Sequence, residues 1–309
     1  MGKYIGKRLG HLLWILAALS FLTFLLMYIS PGDAATKKLY AQGIAVSEEV
    51  LAKTRQDMGL DRPFLAQYGD WALGILRGDL GTSFKDGLPV AGKLWKGLKN
   101  TFVLAGVSLL AALAVSLPLS ILTALKKDSV WDHLVRFLSF VGNSLPNFLI
   151  SVLLMYFLCV RWRLLPVVAS GTFQGLLLPC LALSIPICGR FTRQFRAQLL
   201  EQLGREYVSG AKARGVRTRY ILFRNVLHNA SISILTIVGL SVGTLLGGSV
   251  VIETVFRWPG LGKLAMDAIT ARDYPVIQGF VLLTATLHVL INLFTDICYH
   301  WIDPRLSRR

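Results

Sequence analysis

The sequence predicts an all-α polytopic membrane protein with six transmembrane helices, both termini cytoplasmic and an extracytoplasmic segment between helices 1 and 2. Three observations carry that prediction. Of 309 residues, 54% are hydrophobic and only 16% are charged, a composition that excludes an ordinary soluble domain. Six apolar stretches are long enough to cross roughly 30 Å of hydrocarbon at about 1.5 Å rise per residue. The basic residues concentrate in alternate connections between those stretches. A formal net charge of +16 would otherwise point to nucleic acid, but its confinement to interhelical connections removes that class of partner and leaves the bilayer.

The apolar stretches lie at His11 to Ile29, Thr101 to Leu125, Phe137 to Val160, Phe173 to Ile187, Asn229 to Ile252 and Val276 to Trp301. The first follows Lys3, Lys7 and Arg8, as in a signal peptide. Its apolar core exceeds the usual roughly 7 to 15 residues, and Ser30-Pro31-Gly32-Asp33 offers no small-x-small cleavage site, so it reads as a retained helix. Residues 1–30 are then a tail and first helix, 31–100 an extracytoplasmic segment, and 101–309 a transmembrane core. The first of these connections carries ten Lys/Arg against eight Asp/Glu over residues 33–100. It is long enough to escape the positive-inside rule, and its mixed charge suits a small folded or amphipathic element. The shorter inside connections carry Lys126 and Lys127, then Arg190, Arg193, Arg196, Arg205, Lys212, Arg214, Arg217, Arg219 and Arg224, and finally Arg305, Arg308 and Arg309. The short outside loops hold only Arg161, Arg163, Arg257, Lys263 and Arg272.

Within the spans, Gly239, Gly243 and Gly247 recur every four residues and are followed by Gly248, a spacing that lets a second helix, or a partner subunit, approach closely in lipid. Pro118, Pro146, Pro179 and Pro186 fall within or at the ends of spans, where protein or water must satisfy the carbonyls they free. Asn292 and Asp296 stand one helical turn apart in the last span, and an intramembrane acid is a functional candidate because burying it is costly; a polar pair that fixes helix packing explains it as well. Cys159, Cys180, Cys188 and Cys298 form no C-x-x-C pair and read as small packing residues. The five histidines are dispersed and make no metal site.

The connection between the fourth and fifth spans is the most informative. Over 204–219, Val208, Ala211 and Gly215 recur at i, i+3 and i+7 while Arg205, Lys212, Arg214 and Arg219 lie elsewhere around the turn. This predicts a short amphipathic helix with a glycine C-cap. Its face of small residues favours docking to protein over the bulky side chains that membrane-surface helices present. The run Gly87 to Lys93 matches part of a phosphate-binding loop, but Leu94 replaces the Ser or Thr that binds magnesium and no hydrophobic strand precedes Pro89, so an ATPase reading of this chain fails.

The run Glu206-Tyr207-Val208-x-x-Ala211-x-Ala213-x-Gly215 resembles the coupling-helix signature of binding-protein-dependent ABC importer permeases. The form is that of the B-type subunit in the dipeptide, oligopeptide and nickel family. Tyr4-Ile5-x-Lys7-Arg8, Ser30-Pro31-Gly32-Asp33, Gly59-Leu60-Asp61-Arg62-Pro63 and Arg77-Gly78-Asp79-Leu80-Gly81-Thr82-Ser83 fit the same pattern in order. So do the run from Glu253 through Trp258-Pro259-Gly260-Leu261-Gly262, then Arg272-Asp273-Tyr274-Pro275, then Asp303-Pro304-Arg305.

The resemblance implies a multi-pass subunit of the bacterial inner membrane, with no enzymatic activity, that forms half of a translocation pathway. Its implied partners are a second homologous permease in a heterodimer, two ATP-binding subunits and an extracytoplasmic solute-binding protein. No cofactor is expected in this chain, ATP and magnesium being bound by the partner ATPases. Glu206, Ala211 and Gly215 are expected to set the dock, and Glu253, Trp258, Pro259 and Gly260 to belong to an extracytoplasmic loop whose Trp258-Pro259-Gly260 turn opens a short helix that caps the pathway or meets the binding protein. The implied solute is nickel, free or chelated, or a di- or oligopeptide; Leu145-Pro146-Asn147-Phe148 and the loop from Arg161 to Gln174 lean to nickel. The alternative is a self-sufficient secondary transporter or channel, which calls for inverted repeats or several buried charges.

Overall fold

The computed structural model describes residues 2–30, 32–41, 47–166 and 173–302, with side chains over the same ranges except at 2–9, 41, 173, 246, 248 and 295–302. Along the chain run α1 (Gly2–Ile29), α2 (Ala34–Ala41), α3 (Glu48–Asp57), α4 (Phe64–Leu76), α5 (Val90–Leu125), α6 (Val130–Ser144), α7 (Asn147–Leu154), α8 (Phe173–Leu203), α9 (Glu206–Ala213), α10 (Thr218–Tyr220), α11 (Leu227–Val255), α12 (Leu261–Ala271) and α13 (Tyr274–Ile302). Wider π-helical turns continue α7 over Met155–Arg161 and lead into α11 over Ile221–Val226. The chain groups into two compact units, Met1–Thr101 with Pro259–Leu293, and Phe102–Trp258 with Phe294–Arg309.

Among the described residues, five stretches are long and apolar enough to cross a membrane alone: Gly10–Ile29, Val90–Leu125, Gln174–Leu203, Thr218–Leu245 and Tyr274–Phe294. The third predicted span, Phe137 to Val160, is not one straight helix. It is the pair Val130–Ser144 and Asn147–Arg161, bent by 103°. Pro146 lacks an N–H and its ring disfavours the helical region for the preceding residue, so Leu145 turns to φ −75°, ψ 133° and ends α6. The fourth predicted span also runs on, from Ile187 to Leu203, because straight-chain Arg and Gln residues keep α8 helical beyond its apolar part.

In the first unit, aromatic edges join α1 to α4. Phe21 and Phe24 each meet Phe64 and Tyr68 edge-on, with centroids 5.4–5.6 Å apart, the arrangement that ring quadrupoles favour. Ser20 Oγ and Tyr68 OH add a hydrogen bond of 3.0 Å. Three motifs far apart in sequence then meet around Asp273, which is 2% exposed. Ser83 donates its hydroxyl to Asp273 Oδ2, and the Phe84 amide donates to Oδ1 at 2.8 Å. Lys93 Nζ reaches Ser83 Oγ at 2.9 Å and Asp86 Oδ2 at 2.6 Å, so the lysine of the phosphate-loop-like run serves this knot. Gly32 (φ +108°) lies so near Arg272 that a Cβ would stand 2.7 Å from its guanidinium. The start of α12 is seated the same way: the Leu261 amide donates to Thr101 Oγ1 at 2.8 Å, and Asn100 donates to the Pro259 carbonyl at 2.7 Å.

Asp33 caps α2 by accepting from the Ala35 amide and the Thr36 hydroxyl and pairs with Arg55 at 3.0 Å. Burial alone pushes its carboxyl up, but the Thr36 and Ala35 hydrogen bonds and the Arg55 charge overrule it and hold the group below its ordinary 3.8.

In the second unit, α8 is the axis against which α6, α7 and α11 pack. Phe191, Phe195 and Leu199 along it are fully buried. Gly189 sits so close to α6 that a Cβ there would lie 2.5 Å from the Ser139 carbonyl oxygen. Two turns along from that crossing, Arg196 forks onto Asp132 through Nε at 2.8 Å and Nη2 at 2.6 Å, and Asp132 is fully buried.

Gly189→Ala must part α6 from α8 and should lower the unfolding midpoint of the purified protein, a cost of about 1–3 kcal/mol; Gly106→Ala, where a Cβ meets nothing within 4 Å, should be neutral in the same melt. Asp33 has a depressed carboxyl in the folded state, so its contribution is full above the ordinary carboxylate value and is lost as pH falls through the lower folded value. Proteolysis of residues 33–100 should therefore be faster in Asp33→Asn than in the parent at pH 7, and the two should converge in acid.

Candidate coupling and pathway site

Between α8 and α11 the chain turns at Gly204 and enters α9, with Arg205 extended at φ −74°, ψ 150° as its N-cap and paired to Glu201 at 2.7 Å. Glu206 in the first turn and Lys212 in the last oppose the helix dipole at the favourable ends. Val208 and Ala211, one turn apart, are 1% and 4% exposed and belong to the unit's core, where Leu199 and Ile221 are also buried. Tyr207 OH donates to Gln202 Oε1 at 3.2 Å, which ties α9 to the end of α8.

The helix ends on Gly215 at φ +77°. The Val216 amide returns to the Ala211 carbonyl at 3.1 Å and the Gly215 amide to Lys212 at 2.9 Å, the left-handed termination that glycine makes without steric cost. The outward surface of α9 is Glu206, Ser209, Lys212 and Ala213, continued by Arg214 and Gly215, all exposed. Ala211 thus supports α9 from beneath, while Glu206, Ala213 and Gly215 lie on the open face.

The other sequence-predicted residues separate. Gly239 and Gly243 are half-buried in α11 and Gly247 is exposed, with open space where a Cβ would stand; Gly248 lies outside the described side chains. Glu253 is fully buried in α11 and Trp258 is 3% exposed, so both are built into the second unit's interior. Pro259 is exposed and Gly260 buried; together they open α12, for which Gly260 is the N-cap. Asn292 is half-buried in α13, whereas Asp296 falls outside the described side chains.

The Asp132–Arg196 pair was not singled out from the sequence. A signal was present: Ser129-x-x-Asp132 has the spacing of a helix N-terminal capping pair, and Ser129 Oγ accepts from the Asp132 amide at 3.3 Å. Its partner lies 64 residues on, beyond any local pattern.

Comparison with known proteins agrees with this architecture. The model of the binding-protein-dependent transport system inner membrane component matches residues 116–308, and the model of its N-terminal part matches residues 1–105. The chain is 36% identical to the probable peptide ABC transporter permease protein y4tP of Sinorhizobium fredii, over 99% of both chains. It is 32% identical to the dipeptide transport system permease protein DppB of Escherichia coli over 100% of both. With the metal-staphylopine import system permease protein CntB of Staphylococcus aureus it shares 34%, over 99% of this chain and 98% of that one. In fold it resembles a solved inward-facing structure of the MetNI methionine ABC transporter, with a TM-score of 0.57 at 20% identity, covering 68% of this chain and 96% of that one. With both family models matched in order across nearly the whole length, the chain belongs to the family of inner membrane components of binding-protein-dependent transport systems.

Proposed function

We propose that this chain is a permease subunit of an ATP-driven ABC importer. It forms half of a translocation pathway with a second homologous permease, receives solute from an extracytoplasmic binding protein and docks two ATP-binding subunits that carry ATP and magnesium. The observation that carries this reading is the seating of α9. Buried Val208 and Ala211 fasten it to the unit that contains α8 and α11, and its polar outer face is left open. A rod held from within and free without is fit to be gripped by another subunit and to move the helices on either side of it as one body. The orientation that puts α9 in the cytoplasm follows from the charge bias of the short connections. Open space at Gly247 leaves that part of the small-residue stripe free for the second permease.

For the solute, the relatives' names support peptides and metal chelates. The sequence lean to nickel joins that set through metal bound to an organic carrier.

Glu206→Lys and Ala213→Trp, on the open face, should release the ATPase subunits on co-purification while the chain itself stays folded. Gly215→Ala should weaken the same association through a backbone strain of about 1–2 kcal/mol, and Gly215→Asn, which tolerates the left-handed region, should largely restore it. Solute uptake into liposomes that contain this chain alone, driven by an ion gradient, would refute the proposal.

A further inference from the structure

The second half of α8 carries Arg190, Arg193 and Arg196. Arg193 is exposed, and Arg196 is neutralised by Asp132. Arg190 differs from both. It is half-buried, its Nη2 donates to Ser241 Oγ at 3.2 Å and its guanidinium lies 5.9 Å from the Phe191 ring centre. Among the described residues no carboxylate pairs with it. A guanidinium has five N–H donors in a fixed fork, and a single hydroxyl leaves most of them unused.

Arg190 borders a cavity of about 260 Å³ at the break between α6 and α7, with further polar lining from Asn143, Asn147 and Thr244. The remaining lining is leucine, isoleucine and proline, with no histidine, cysteine or carboxylate. The wall also includes Pro146 and Asn147, where α7 begins without a side-chain cap, so the positive end of that helix adds to the arginine's field. A cationic group inside a span is costly unless water or a counter-charge reaches it. The counter-charge here does not come from this chain's described residues. A volume below the roughly 300–1,000 Å³ of sites that enclose a drug-sized ligand fits one end of a solute. An arginine fork with flanking amides fits a carboxylate, which it can hold through two parallel hydrogen bonds.

We propose that this cavity is a transit subsite that takes a carboxylate group of the passing solute, with Arg190 as its ligand, and that it repels a bare divalent cation. The inference rests on the permease reading and narrows it to solutes that carry carboxylates: peptides, or metal ions wrapped in a carboxylate chelator.

The test uses the assembled transporter in phosphatidylcholine nanodiscs, which supply no net anionic lipid. Thr244→Cys is placed in a chain whose four native cysteines are replaced by alanine, and thiol labelling is followed with anionic sulfonatoethyl and cationic trimethylammonioethyl methanethiosulfonates, each normalised to free cysteine. The anionic reagent should react faster by about tenfold; Arg190→Gln should remove most of the preference and Arg190→Lys keep it. Dialanine should slow labelling and its C-terminal amide should not, whereas protection by the nickel–histidine complex alone would point to chelates as the cargo. Equal rates for the two reagents, a preference undiminished in Arg190→Gln, no labelling in either the resting or the nucleotide-bound complex, or protection by neither carboxylate probe would overturn the proposal. Any of these in a complex that retains its ATPase subunits overturns the subsite alone, whereas a chain that never assembles with them overturns the permease reading itself.

Discussion

The forked bond between Arg196 and Asp132 is the interaction on which the second unit turns. It joins α6 to α8 at a buried carboxylate whose other contacts come from the Asp128 amide in the turn before α6 and from Arg136 one turn further along it. Replacing such a pair by apolar residues often costs little, whereas breaking it leaves a buried charge unmatched, so its value lies in register more than in net stability. The register it sets is that of a helix continuous from the apolar part of α8 to the turn before α9. Because α6 and α9 are both fastened to α8, a displacement of the short amphipathic helix, on the proposed function, would be carried into the packed unit rather than lost in a loose connection.

The first unit is organised by a different charge. Asp273 collects a hydroxyl and an amide from residues 83 and 84, and Arg272 beside it closes over Gly32. Residues separated by up to 190 positions thereby become neighbours. The segments that marked family resemblance along the chain, Ser30 to Asp33, Arg77 to Ser83 and Arg272 to Pro275, are to this extent one physical object. That gives a mechanical reason for such motifs to occur together: each contributes one wall of the same knot.

Much of this was legible beforehand, for identifiable reasons. Length and hydropathy located the spans, since twenty apolar residues in sequence have few other uses. The cap at Gly215 was readable because a left-handed residue ending an amphipathic helix nearly demands glycine. The break at Pro146 was not, because Pro118, Pro179 and Pro186 stand inside continuous helices and proline alone does not say which outcome prevails. The burial of Ala211 was missed for another reason. Small residues suit a tight contact with either a partner or the chain's own core, and only the tertiary structure shows that Val208 and Ala211 face inward. Arg190 was counted simply as one of the positive charges at the inner ends of the spans; its lack of a carboxylate partner among the described residues could be seen only once Arg196 had been matched to Asp132.

The wide turns over Ile221–Val226 have a consequence for how motion would pass into α11. A π turn holds an extra residue relative to α-helical pitch. If it tightens, that residue is handed along the rod, which advances by about 1.5 Å and rotates by about one residue's share of a 3.6-residue turn. A pull on α9 would then arrive in the bilayer chiefly as torque, turning Ser241 and Thr244 to new neighbours without breaking the backbone ladder that lipid requires.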